Sequence, residues 1–311
     1  MIDRAFLGRL RVPVCAAPMF LVSGPDLVIA ACRAGIMAAF PAPNTRTLDE
    51  FEAWLTRIAA EVGDAPWAVN LITHASNDRL SAELEVIARH RPPMVITALG
   101  SPRPAMATVQ AYGGQVIADV IDLGLARKAI AAGVDGLACV SAGAGGHTGF
   151  LSPFAFISAA RALFDGLIIV GGGIADGHGV AGAVAAGADL VYVGTRFIAA
   201  EESLAVEPYK AMVVGAGLDD LIVSAAVTGT PASWLKPSLA SAGYDLAAPA
   251  APPERNYGAP EEAARRWRDI WAAGQGVGAT RAIEPTAAIV ATLAREYAEA
   301  VARLVIRGQF T

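Results

Sequence analysis

Short apolar runs alternate with longer amphipathic ones from Val12 to Val193. The apolar runs are Val12–Met19, Ile36–Pro41, Trp67–Ile72, Met94–Leu99, Gln115–Ile121, Gly136–Ser141, Leu167–Val170 and Leu190–Val193. They are rich in Val, Ile and Ala and nearly continuous, which suits strands paired in parallel and buried on both faces. Between them lie Asp26–Ala34, Leu48–Val62, Asp78–His90, Pro104–Tyr112, Leu123–Ala132, Pro153–Phe164 and Gly179–Ala186. Their apolar residues recur at three- and four-residue spacing, which predicts helices. Several helices run into a glycine just before the next strand, in "RAGI", "AAGVDGL" and "AAGADL". That is where a left-handed turn ends a helix. Eight strand–helix units in roughly 200 residues predict an α/β chain folded as a (β/α)8 TIM barrel. The alternative is an open doubly wound sheet, and the absence of GxGxxG after the first strand counts against it.

After Val193 the rhythm stops. Glu201–Gly217 reads as a helix, and Asp219 to about Pro253 as irregular chain rich in Ala, Pro and Ser. Glu261–Ala273 reads as a charged helix with Trp267 and Trp271, and Pro285–Ile306 as a last long helix packing back on the barrel. The expected organisation is a barrel of residues 1–200 and 274–311, with 201–273 a smaller, mostly helical lid over its mouth.

Composition narrows the partners. Of the 311 residues, 54% are hydrophobic and 17% charged, enough for a large core. The 24 Lys and Arg against 29 Asp and Glu leave a net charge of −5 with no basic block. Nucleic acid and anionic membranes are therefore not expected as main partners. Any anionic ligand must be held by backbone dipoles and a few local cations. Mean hydropathy is +0.46, yet no 18-residue apolar run is uninterrupted, so no membrane-spanning helix is expected. The apolar stretch from Val12 to Ala30 is broken by Pro13, Pro18 and Pro25 and does not read as a secretory signal. Cys15, Cys32 and Cys139 match neither a zinc nor a CxxC pattern. Reduced core thiols in a cytoplasmic protein without a bound metal are the expectation.

In such barrels chemistry sits where strands end. The sixth strand runs into "AGAGGHTG" (Ala142 to Gly149), in which four glycines and two alanines surround His147. Glycine is unfavourable inside regular elements, so the cluster reads either as a loose surface loop or as backbone brought against a flat ligand. The first strand ends at Ala17, Pro18 and Met19, the third at Asn70 to His74, and the fifth near Asp119. The seventh ends in "GGGIADG" (Gly171 to Gly177), the eighth in Gly194, Thr195 and Arg196. Glycine turns after the last two strands, beside helix N-termini, form a pattern for phosphate; the bland reading is tight turns. Thr195 adds a hydroxyl, and Arg196 a charge if it turns inward.

Taken in order, "AAPM", "VN" on the third strand, "AGAGGHTG", "GGGIADG", "GADLVYVGTRF" and "AGQGVG" resemble the nitronate monooxygenase, or 2-nitropropane dioxygenase-like, flavoproteins from about Val12 to Glu299. The resemblance implies FMN at the barrel mouth. It implies that Ala17, Pro18 and Met19 pack on the isoalloxazine ring and that Asn70 hydrogen-bonds it. Gly172, Gly173, Gly194 and Thr195 would hold the phosphate, and Gln275 and Gly276 would close over the cofactor. Ala144, Gly145 and Gly146 would let the chain pass the ring. His147 would be the base, since an imidazole with a pKa of about 6.5 suits removal of an acidic α-proton at neutral pH. The implied reaction converts a nitroalkane or nitronate, with O2, to a carbonyl compound and nitrite. Some relatives carry lysine where Asp119 stands. Asp119, counted with the cofactor-binding residues, would instead bind a polar group or anchor a loop. Two other classes stay open: an NAD(P)H-dependent flavin reductase of quinones or enoyl thioesters, and a non-catalytic FMN- or phosphate-sugar-binding barrel. The partners implied are a small-molecule substrate and O2, with a homodimer left open. His74 is expected to cap its loop or touch ligand, and His90 and His178 to lie at the surface. Tyr192 and Phe197 read as barrel packing. Trp234, Trp267 and Trp271 read as core, with one lining the pocket as the alternative.

Overall fold

The computed structural model describes residues 5–246 and 267–308. The first half of the predicted charged helix and the end of the predicted irregular stretch lie outside the described residues. Eight parallel strands close a barrel in the order β1 (Val14–Ala16), β2 (Met37–Pro41), β3 (Trp67–Ile72), β4 (Met94–Ala98), β5 (Gln115–Val120), β6 (Gly136–Val140), β8 (Leu167–Gly171) and β9 (Leu190–Val193), β9 pairing back to β1. These are the eight predicted strands, unchanged or trimmed by up to three residues at an end, except that Leu167–Val170 extends by one to Gly171. Helices α1 (Pro25–Arg33), α2 (Leu48–Val62), α3 (Leu80–His90), α4 (Arg103–Ala111), α5 (Leu123–Ala132), α6 (Pro153–Leu163), α7 (Gly177–Ala185) and the short α8 (Thr195–Ile198) follow successive barrel strands. Side-chain caps explain several starts: Thr47 Oγ1 accepts from Glu50 N at 3.1 Å, and Asp122 Oδ1 from Leu125 N at 2.7 Å. Gly133, at φ +89°, ends α5 in the left-handed turn the sequence calls for.

Two cores result. One lies between strands and helices and contains Leu27, Phe51, Ile58, Ile87 and Phe156. The other fills the barrel. Tilted strands stagger by about one residue each, which sorts inward residues into layers of four from alternate strands. The pairing registers give Met37, Met94, Gly136 and Leu190 in the lowest layer, then Cys15, Ala68, Ile117 and Ile169. Above these lie Ala39, Ile96, Ala138 and Tyr192, and the top layer is Ala17, Asn70, Asp119 and Gly171. Below this last layer, directly under the mouth, the only polar atoms on the layered side chains are the Cys15 thiol and the Tyr192 hydroxyl.

The chain after β9 corrects one expectation. The predicted helix Glu201–Gly217 shortens to α9 (Glu207–Gly215). The stretch read as irregular contains β10 (Leu221–Ser224) and β11 (Ala232–Leu235), an antiparallel pair, followed by α10 (Lys236–Ser241). β11 also pairs with a two-residue strand, β7 (Gly146–His147), inside the glycine-rich loop. Four-residue strands are too short to show a period, and the β7 partner is remote in sequence, so nothing local announces this sheet. The last helix (Thr286–Gly308) packs back on α7 and α1, and Gly177 N donates to its Glu296 carboxylate at 2.9 Å. All three cysteines are buried free thiols. No helix among the described residues is long and apolar enough to cross a membrane.

Candidate functional site

The loop after β1 is held rigidly. Ala17 N donates to Val193 O on β9 at 3.0 Å. Ser23 Oγ accepts from Met19 N at 3.0 Å and donates to Ala17 O at 3.1 Å. Asn44, just after β2, accepts from Leu21 N at 2.8 Å and donates to Met19 O and Ser23 O at 3.1 and 2.7 Å. These bonds stabilise Leu21 at φ +60°, a strained value for a branched side chain. The Ala17–Met19 backbone is thus presented as a fixed wall. Gly194 meets that wall: a Cβ there would lie 3.5 Å from Met19 Sδ and 3.7 Å from Ala17 Cβ.

The glycine turns meet one another. Gly143 O accepts from both Gly173 N at 3.1 Å and Gln275 N at 2.9 Å. Gly274 N donates to Thr195 Oγ1 at 2.9 Å, which leaves the hydroxyl hydrogen for another acceptor. Gly145 and Gly274 touch backbone to backbone, a Cβ on either reaching within 2.6 Å of the other's amide nitrogen. Gly172 sits at φ +139°, and a Cβ there would lie 2.3 Å from Ser141 Oγ, so no other residue fits. Ser141 itself bonds Gly171 O through Oγ at 2.6 Å and through its amide at 2.8 Å. The loops after β1, β6, β8 and β9 and the returning 273–276 segment therefore form one continuous surface around the mouth. The sequence-predicted residues Ala17, Pro18, Met19, Ala144, Gly145, Gly146, Gly172, Gly173, Gly194, Thr195, Gln275 and Gly276 all belong to it.

His147 is placed by β7. Its pairing with Ala232 and the bond from Thr148 N to Pro231 O (3.2 Å) tie it to β11. Thr148 Oγ1 also donates to Ser141 O at 3.1 Å, linking the histidine strand to the glycine turn. The imidazole meets Trp267 edge to face, centroids 5.4 Å apart at 85°, and Trp267 rests on the fully buried Trp234 at 4.6 Å. Trp271 stacks on Tyr209 at 5.3 Å. Trp234 is a core residue, as read from the sequence, whereas Trp271 is half-buried against the core that contains Tyr209, and Trp267 lines the histidine.

Beneath the loops lies the polar top layer. Asn70 Nδ2 donates to Asp119 Oδ2 at 3.1 Å. Asp119 Oδ1 and the Tyr192 hydroxyl in the layer below are buried without a hydrogen-bond partner among the described residues. Burial pushes the Asp119 carboxyl up to about 7 against the opposing pull of the Asn70 bond. Burial, then the neighbouring Asp119 and Cys15, raises Tyr192 well above the phenol range.

Other candidates lie elsewhere. Arg196 turns to Glu284, 3.5 Å away, and so does not point its charge at the mouth. His74 Nδ1 engages Ser76 Oγ at 2.7 Å and the Ser76 amide at 3.2 Å, a loop cap. His178 meets Arg303 at 3.0 Å, and His90 meets Glu52 at 2.9 Å. Asn44, Ser23 and Ser141 are supporting residues the sequence reading did not single out. Only Asn44, in the turn-like "PAPNT", carried a local signal.

The nitronate monooxygenase family model matches residues 6–296. The chain belongs to that family. It is 27% identical to a nitronate monooxygenase of Paraburkholderia phytofirmans over 97% of both chains. It is also 31% identical to a Mycobacterium tuberculosis (3aS,4S,5R,7aS)-5-hydroxy-7a-methyl-1-oxo-octahydro-1H-indene-4-carboxyl-CoA dehydrogenase, over 73% of this chain and 64% of that one. The match thus spans less than two thirds of that relative's length. Among solved structures, FabK from Thermotoga maritima superposes with a TM-score of 0.82 at 27% identity, covering 98% of this chain and 97% of that one. A nitroalkane oxidase from Streptomyces ansochromogenes gives 0.81 at 26%, covering 96% and 99%. Both share the family barrel over essentially its full length.

Proposed function

We propose that this family member binds FMN in the barrel mouth and oxidises nitronates, or the nitroalkanes they come from, with O2. The observation that carries the reading is the convergence on one another of four side-chain-poor segments, 143–146, 172–173, 194–195 and 274–276, the first of which runs directly into His147. The nitronate monooxygenase and nitroalkane oxidase relatives supply the substrate class.

The residues present fit such a cofactor. A rigid wall at Ala17, Pro18 and Met19 suits a flat ring. Thr195 Oγ keeps a hydrogen to donate, and turn amides near Gly172, Gly173 and Gly194 suit a phosphate. Buried polar atoms under the mouth, at Asn70, Asp119 and Tyr192, suit a ring with polar edges. Ala144, Gly145 and Gly146 leave room for it, and Gln275 and Gly276 close the rim. FMN would supply the electron acceptor for the substrate and the route to O2.

The chain's own part is positional and acid–base. A ring nitrogen of His147 would take the α-proton from a neutral nitroalkane; a preformed nitronate arrives without that proton and needs no base. The Trp267 ring packs at right angles against the imidazole and limits its orientation. The products would be a carbonyl compound and nitrite. Residues 1–200 and 274–311 would act as the FMN barrel and 201–273 as a lid, in a cytoplasmic enzyme.

The dehydrogenase relative, whose name carries a carboxyl-CoA group, favours a second reading: an NAD(P)H-dependent flavin reductase of quinones or enoyl thioesters. Visible spectra with anaerobic titration separate the two. Yellow protein bleached by ethyl nitronate alone supports the first. Bleaching only by NADH or NADPH supports the second. Protein that stays colourless after FMN is added overturns both.

A further inference from the structure

Three of the barrel's four interior layers hold one polar hydrogen-bonding side chain between them, the Tyr192 hydroxyl, apart from the Cys15 thiol. The fourth, under the mouth, holds Asn70 and Asp119 beside a methyl and a bare glycine. The polar pair is half satisfied. Asn70 occupies Asp119 Oδ2, while Oδ1 and the Tyr192 hydroxyl are buried with no partner among the described residues. Leaving such groups unpaired is costly, and an apolar replacement would avoid the cost. Gly171 makes the arrangement possible: a Cβ there would lie 2.9 Å from Tyr192 Cβ, so glycine gives the tyrosine its space.

We propose that the Asp119 carboxyl and the Tyr192 hydroxyl form a two-donor floor to the mouth, hydrogen-bonding a carbonyl-type acceptor on the ring of the bound cofactor. The inference rests on the FMN reading above. The bonding pattern says where a proton would sit. Asn70 donates to Oδ2, which leaves Oδ1 as the oxygen free to carry a proton and donate it. Asn70 from β3 bonds Asp119, and the titratable groups near enough to feel its charge are Tyr192 from β9, Cys15 from β1 and Cys139 from β6. All are neutral at pH 7, and none is a cation to hold a carboxylate. A buried acid paired with a tyrosine is a known way to present two donors to one oxygen. Asp119 thus does by a neutral hydrogen bond what a lysine there would do by charge. As the carboxyl titrates near 7, the donor is lost and a negative charge faces the acceptor.

The test is FMN affinity of the full chain from pH 6 to 8.5, by flavin fluorescence, for wild type, D119N and Y192F. Asparagine keeps the shape and a donor but does not titrate, and the phosphate's own ionisation cancels in the ratio of wild type to D119N. The expected ratio falls by up to about tenfold per pH unit above 7, while Y192F binds several-fold more weakly with the slope retained. The reduction potential of bound FMN should carry the same pH break in wild type and lose it in D119N. A ratio flat with pH overturns the proposal and leaves FMN binding intact. So does unchanged affinity in both variants, the result for a floor filled only by water. No FMN binding at any pH overturns both readings. Were D119N not to fold, infrared difference spectra of wild type decide: a protonated-carboxyl band must shift on adding FMN, and an unmoved or absent band refutes the floor.

Discussion

Asp119 makes a prediction about the protein without any ligand. Its carboxyl moves from an ordinary value of 3.8 to about 7 on folding, chiefly because burial disfavours the charged form. The folded chain therefore binds this proton more tightly than the unfolded chain. Stability from this group is fully present below pH about 4, declines as pH rises, and is lost once pH passes about 7. A shift of about three pKa units corresponds to roughly 4 kcal/mol over the whole range, of which roughly 2–3 kcal/mol falls between pH 5 and 8. That is large against a typical total of about 5–15 kcal/mol. D119N keeps the side chain's shape and an oxygen for Asn70 but has no proton to lose. Urea unfolding of ligand-free wild type and D119N at pH 5, 6, 7 and 8 isolates the effect as a difference of two curves. The variant should gain on wild type by about 2–3 kcal/mol from pH 5 to 8, with most of the gain below pH 7.5. Parallel curves, or a variant that loses ground as pH rises, would refute the burial argument.

Replacing His147 with alanine should lower turnover of neutral nitroalkanes by about 10²–10⁴-fold while a preformed nitronate still reacts and FMN content is kept, as steady-state rates on the two substrate forms would show. Gly194→Asp should fold, because a Cβ there makes only ordinary contacts at 3.5 and 3.7 Å, yet purify without FMN because its carboxylate faces the phosphate; a full flavin spectrum would remove that turn from the site. Gly172→Ala should instead fail at the level of folding, by about 3 kcal/mol or more in chemical unfolding, since the new Cβ meets Ser141 Oγ at 2.3 Å and φ is +139°. Asn44→Ala touches no ligand but removes three bonds to the Met19–Ser23 loop, so FMN affinity should fall about tenfold; an unchanged titration would mean the loop holds its shape alone.

The parts of the fold legible in the sequence are those with local causes. Leu48–Val62 and Leu123–Ala132 end where predicted because Thr47, Asp122 and Gly133 act within a few residues of the chain. Met37–Pro41 and Leu167–Gly171 are apolar throughout because both faces are buried. β10, β11 and β7 escaped notice because each is four residues or fewer and the β11–β7 pair joins residues 232 and 147. The ring of glycine segments was legible as composition, but its continuity rests on contacts such as Gly274 with Thr195, 79 residues apart. Asp119 marks the boundary most sharply. Its identity, and the contrast with lysine, can be read from the chain. Its protonation depends on strands β1, β3, β6 and β9 closing around it, each from a different part of the sequence. The charge under the barrel mouth at neutral pH is therefore a property of packing, and a substitution that opens the top layer to water should alter it without touching Asp119 at all.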